Sequence, residues 1–89
     1  MQLPIWINDP TLSDEEKRQR LLGFRVRMAA LYHNPKGAVN ELSMAVGLHA
    51  KQLYIEIERG QMSRRTELAI RGLVGPEAFP EEQALLSNQ

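Results

Sequence analysis

His49, Lys51 and Gln52 follow closely on Gly47, with Asn40 shortly before them and Arg59, Arg64 and Arg65 after. Lysine and glutamine can read base edges. An ammonium donates to the acceptors of guanine, and a glutamine amide pairs bidentately with adenine. Ala50 or Ile55 can touch a thymine methyl, and His49 and Tyr54 lie within a turn of these residues. These six side chains, His49, Ala50, Lys51, Gln52, Tyr54 and Ile55, are candidate base contacts. Lys36, Asn40, Arg59, Arg64 and Arg65 are candidate phosphate contacts, Asn40 through its amide at the start of a helix. Arg64 and Arg65 also open a helix, where positive charge is mildly unfavourable, and that broken rule points to an external anion.

Bond-making chemistry finds little support. His33 and His49 are far apart, and neither belongs to a His-Glu-x-x-His run or comparable metal-ligand spacing. Asp14, Glu15 and Glu16 are consecutive and splay around a helix, so they do not form an acid–base pair. There is no glycine-rich phosphate loop or nucleophile elbow. The expectation is a non-enzyme with no cofactor, no metal and no catalytic residues.

The candidate contacts need a scaffold that presents them. Val39, Leu42 and Val46 recur at i, i+3 and i+7, one face of a short helix. Gly47 sits where that helix ends, because glycine takes a left-handed backbone at little cost, and Leu48 follows as an apolar plug. A second short helix begins near His49, with Leu53 and Ile57 on one face. Two short helices around a glycine turn make a helix-turn-helix, whose second helix suits the DNA major groove. One competing pattern stays open. Leu53 to Glu58 alternates apolar and other residues, which alone reads as a strand. A lone strand is poorly supported in a chain of helices, so the helical reading is preferred.

The chain divides into an extended arm over 1–12, a helix-turn-helix domain over 13–76 and a tail over 77–89. Pro4 and Pro10 exclude a long helix from the arm, whose Trp6 is expected to dock on the core or on a partner subunit. Ser13 with Glu16 is a capping box that starts a helix running to about His33. Its stripe is read as Leu21, Phe24, Met28, Leu31 and Tyr32, widened by Leu22, Val26 and Ala29, before Asn34-Pro35-Lys36-Gly37 ends it. Ser63 caps a helix from Arg64 to Val74, read as carrying Leu68, Ala69, Ile70 and Leu73 inward before Gly75-Pro76. The tail has room for a last helical turn around Ala84, Leu85 and Leu86.

Length and composition narrow the class. Eighty-nine residues make one small domain with a marginal core, so a partner chain is plausible. No cysteine is present, which excludes disulfides and thiolate metal sites. No secretory signal or membrane-length apolar run is seen, and a cytoplasmic protein of a bacterial host cell is expected. The formal net charge is zero, whereas nucleic-acid binders are often basic. Cations nevertheless cluster at Lys17, Arg18, Arg20, Arg25 and Arg27, and again at Arg59, Arg64, Arg65 and Arg71. A neutral chain can still present one basic face.

Val39 to Glu58 resembles the helix-turn-helix of phage Cro-type and repressor-type regulators, and the run through Gly75 resembles the YdaS-like family of small prophage regulators. The resemblance rests on Val46-Gly47-Leu48-His49 at the turn, Arg59-Gly60 after the second helix, and Leu68-Ala69-Ile70 with Gly75. Two positions depart from the family pattern. Ser43 stands for the usual alanine, and Glu56 occupies an inward aliphatic or tryptophan position. Either Ile57 takes the inward role or the helix is shifted by one residue. The resemblance implies an all-α domain of four or five helices that binds a pseudo-palindromic operator in double-stranded DNA as a homodimer and regulates transcription. The alternative is a protein-interaction module, such as an antirepressor or antitoxin component, that keeps the scaffold and meets a protein partner.

Overall fold

Each helix starts and stops where local chemistry dictates. Ser13 Oγ accepts from the Glu16 N–H at 3.1 Å and opens α1, Asp14–His33. The Asn34 side chain then spans the loop, its Oδ1 accepting from the Ala38 N–H at 3.0 Å, and α2 follows over Val39–Ala45. Helix α3 covers Gln52–Arg59. Ser63 caps α4, Arg64–Val74, by accepting from the Thr66 N–H at 3.2 Å. A short α5 spans Glu82–Leu86. The computed structural model describes Trp6 and residues 9–86, with only the backbone of Leu86. Among these residues the chain is all-α and contains no strand, so the alternation over Leu53–Glu58 folds as helix.

Helix α1 is the platform against which α2, α3 and α4 all pack. The core joins Leu22, Val26, Ala29 and Ala30 of α1 to Val39 and Leu42 of α2, Leu53 of α3, and Ile70 and Val74 of α4. It continues past α4, since Ala78 and Phe79 are buried within it and Phe79 is the largest fully buried side chain. The Cα radius of gyration is 12.5 Å, close to the roughly 12 Å expected of a compact domain this long.

Two inward faces differ from the sequence reading. On α1, Leu31 and Tyr32 are 62% and 70% exposed, whereas Val26, Ala29 and Ala30 are completely covered. Small side chains at the last two positions let neighbouring helices approach the α1 backbone, so close approach selects the face over side-chain size. On α4 the inward set is Thr66, Ile70 and Val74, spaced i, i+4 and i+8, while Leu68, Ala69 and Leu73 face outward.

The tail is held by charge as well as by apolar burial. Arg25, 4% exposed, lies with its guanidinium 4.5 Å over the Phe79 ring. Its Nε donates to the Pro80 carbonyl at 2.7 Å, and its Nη2 meets Glu67 Oε1 at 2.6 Å. Arg71 extends the network to Glu81 at 3.4 Å and to Glu67 at 3.8 Å. Burial raises the Glu67 carboxyl. The hydrogen bond and charge of Arg25, with the charges of Arg71 and Arg64, more than offset this and hold it below its ordinary value. A second, smaller cluster packs Trp6 and Phe24 against Leu21 and Leu85, with Arg20 above the Trp6 ring. Trp6 thus docks on its own chain. The rest of the arm before Asp9 lies outside the described residues.

Candidate nucleic-acid interface

The turn between α2 and α3 is fixed from both sides. At the end of α2 the Gly47 N–H donates to the Met44 carbonyl and the Leu48 N–H to the Ser43 carbonyl, each at 3.0 Å. That pairing requires the left-handed backbone of Gly47, φ 80°. Ser43 is fully buried, and its hydroxyl donates to the His49 carbonyl. The departure from alanine therefore ties the first helix to the entry of the second. His49 Nδ1 in turn accepts from the Lys51 N–H at 3.2 Å, so the imidazole caps the approach to α3. Helix α3 begins at Gln52, three residues after the His49 expected from sequence, leaving His49, Ala50 and Lys51 in the turn before it.

Helix α3 has distinct inner and outer edges. Leu53 is fully buried, Glu56 is 4% exposed, and Ile57 packs half-buried on the core. Both alternatives raised by Glu56 are answered at once: Glu56 keeps the inward position and Ile57 joins it, without a shift of register. The Glu56 carboxylate is used. Its Oε1 accepts from the Ser63 N–H at 3.0 Å, while Oε2 lies 3.5 Å from Gln52 Nε2. The carboxylate so links α3 to the residue that caps α4. Lys51, Ile55 and Glu58 share the outer edge at i, i+4 and i+7, with Tyr54 and Arg59 flanking it, and all five are exposed. Of the two acids of α3, only Glu58 remains on that edge.

The candidate phosphate contacts are dispersed. Arg59 and Arg65 line one cleft of about 660 Å³ between the turn, α3 and α4, together with Gln52 and Gly47. Lys36 in the α1–α2 loop and Asn40 on α2 are exposed and lie outside that cleft. Arg64 is turned toward acids of its own chain, 3.3 Å from Glu67 and 3.9 Å from Glu81. Its place at a helix start thus has an internal anion, and the argument for an external one applies to Arg65 alone. Arg25 and Arg71, counted in the basic clusters, are likewise engaged by Glu67.

Comparison with family models, with curated proteins and with solved structures gives no match. The site rests on its own geometry.

That geometry is one of presentation. A second cleft of about 1060 Å³ between α1 and the loop after α3 is lined by both signs of charge, Asp14, Glu15, Glu67 and Glu82 against Lys17, Arg18, Arg25 and Arg59. Among the described residues no group of three or more His, Cys, Asp or Glu could hold a metal ion, and no helix is long and apolar enough to cross a membrane. Sequence reasoning missed the positioning roles of Ser43, His49 and Glu56. The available signal was the pair of polar residues at positions where the motif wants apolar ones.

Proposed function

We propose that this chain binds double-stranded DNA through the outer edge of α3 and acts as a transcriptional regulator of the (pro)phage type. One observation carries the reading: Lys51, Tyr54 and Ile55 project outward from a short helix whose other edge is anchored by Leu53 and Glu56. In the major groove, Lys51 donates to guanine, Gln52 pairs with adenine, and Ile55 covers a thymine methyl. Lys36, Asn40 and Arg59 hold the backbone, which sets register and supplies affinity without sequence information. Two subunits on a pseudo-palindromic operator would place their α3 helices about 34 Å apart. The role is non-enzymatic and cytoplasmic in a bacterial host.

The variant Lys51→Ala/Gln52→Ala tests the base contacts in a competition shift assay against random duplex. Preference for the selected site should fall by about tenfold to a hundredfold, since each good contact is worth about 1–3 kcal/mol. Circular dichroism should be unchanged. Undiminished discrimination by a folded double variant would remove the assignment.

A second reading is favoured by one specific feature, the exposed Leu68 and Leu73 of α4. Such a face suits a protein contact. The two roles can coexist on one chain, because α3 and the outer face of α4 use different residues.

A further inference from the structure

Helix α4 turns its larger apolar side chains away from the core. Leu68 is 50% exposed and Leu73 44%, and Ala69 and Gly72 between them are exposed as well. At 100° per residue Arg65, Leu68 and Gly72 align on the outermost line, with Ala69 and Leu73 flanking it. A Cβ added at Gly72 would meet nothing within 4 Å. Nothing among the described residues covers this face.

We propose that this face pairs two copies of the chain, α4 against α4 of the second copy, antiparallel about a two-fold axis. In such an interface residue i meets j while j meets i. A register centred between Ile70 and Arg71 sets Leu68 opposite Leu73 and Ala69 opposite Gly72. The small pair lets the helices approach, and a leucine pair closes each end. The same register brings Arg65 opposite Pro76, one residue from Glu77. Arg65 and Glu77 are both exposed, and neither has an ion-pair partner among the described residues. The two-fold forms that bridge twice, so the apolar stripe is flanked by complementary charge.

The contact is small. A helix of this length runs about 16 Å, and such a patch buries well under the roughly 800 Å² per partner of a standard interface. The dimer is therefore a weak one, which two half-sites on one duplex would reinforce through effective concentration. The pairing deepens the two-subunit reading proposed above, and it assigns Arg65 to the partner instead of to a phosphate.

Sedimentation equilibrium of the full chain without DNA, from about 5 μM to about 1 mM, covers the range of a weak contact. A monomer–dimer equilibrium is expected. Leu68→Glu, at a half-exposed position that leaves the fold intact by circular dichroism, should weaken it at least about tenfold. Arg65→Glu should weaken it too, and adding Glu77→Arg should restore it. A chain that stays monomeric throughout overturns the proposal. So does a dimer whose affinity neither Leu68→Glu nor Arg65→Glu changes, or one that the charge swap fails to rescue. The DNA reading fails separately: a dimer of the expected behaviour that retains no duplex at low salt removes DNA binding and keeps the pairing. A permanent monomer that binds duplex removes only the pairing.

Discussion

Glu56→Ala is the most informative single change for the scaffold, because Glu56 joins α3 to the start of α4. The carboxylate is 4% exposed and accepts from the Ser63 N–H at 3.0 Å. Its contact with Gln52 Nε2 at 3.5 Å is too long to count for much. A hydrogen bond to a charged group contributes about 1.5–3 kcal/mol, and its loss leaves a part-buried N–H unmatched. Burying the carboxylate has its own desolvation cost, which returns some of this on truncation. A net loss of about 2 kcal/mol is expected, lowering Tm by about 8–16 °C for a domain of this size. Glu56→Gln keeps an acceptor and nearly the same volume, so it should lose less than about 1 kcal/mol. Glu56→Leu, which restores the family's aliphatic residue, gains about 1.5–3 kcal/mol of burial and strands the Ser63 N–H at about 1–3 kcal/mol. It should come out near neutral. The exposed Glu58→Ala is the control, within about 0.5 kcal/mol of the parent. Thermal unfolding followed at 222 nm orders the four variants. Should Glu56→Ala lose no more than Glu58→Ala, the link between α3 and α4 has been misread.

The other predictions concern the tail, the turns and the affinity. The Glu67 carboxyl is held below its ordinary 4.5 in the folded chain, against the rise that burial alone would cause. The stability it contributes is therefore complete above that value and is lost as pH falls through the folded pKa. Urea midpoints from neutral to acid pH should show this loss, and Glu67→Gln should flatten it. Gly47→Ala and Gly60→Ala both force alanine into a left-handed backbone, φ 80° and 69°, at about 1–2 kcal/mol each. An added Cβ meets nothing at Gly47, whereas at Gly60 it meets Gln19 Cγ at 3.1 Å and Gln19 N at 3.5 Å. Urea unfolding should therefore show the Gly60 variant as the weaker, and equal losses would contradict the packing of α3 on α1. Lys36, Lys51 and Arg59 from two subunits neutralise about six phosphates, so DNA affinity should fall about a thousandfold between 50 and 200 mM salt. A fluorescence-anisotropy titration gives the slope, and a flat response would remove the phosphate assignments.

Elements were legible in the sequence where a local signal is decisive. Ser13 and Ser63 mark the starts of α1 and α4 because a capping hydroxyl acts on neighbouring N–H groups. Gly47 marks the end of α2 for the same kind of local reason. Faces were less legible. Leu31 and Tyr32 outrank Ala29 and Ala30 on any apolar scale, yet the alanines lie inside because the neighbouring helices approach there. The outward Leu68 and Leu73 follow the same logic: an i, i+4, i+8 line through Thr66, Ile70 and Val74 suffices to seat α4. Long-range polar roles were invisible. Arg25 meets the Pro80 carbonyl and Glu67 across 55 and 42 residues of chain, a pairing that no local spacing encodes. At the candidate interface, the outward Lys51, Tyr54 and Ile55 match the sequence reading. The engagement of His49 in the turn and of Arg64 by Glu67 and Glu81 emerged only from the fold.

Selection of bound sites from a pool of random duplex DNA, with the full chain at low salt, tests the central claim most directly. The account predicts one enriched sequence with two-fold symmetry, its half-sites about 10 base pairs apart centre to centre. Recovery of the pool without enrichment, or no retained duplex at all, would contradict it.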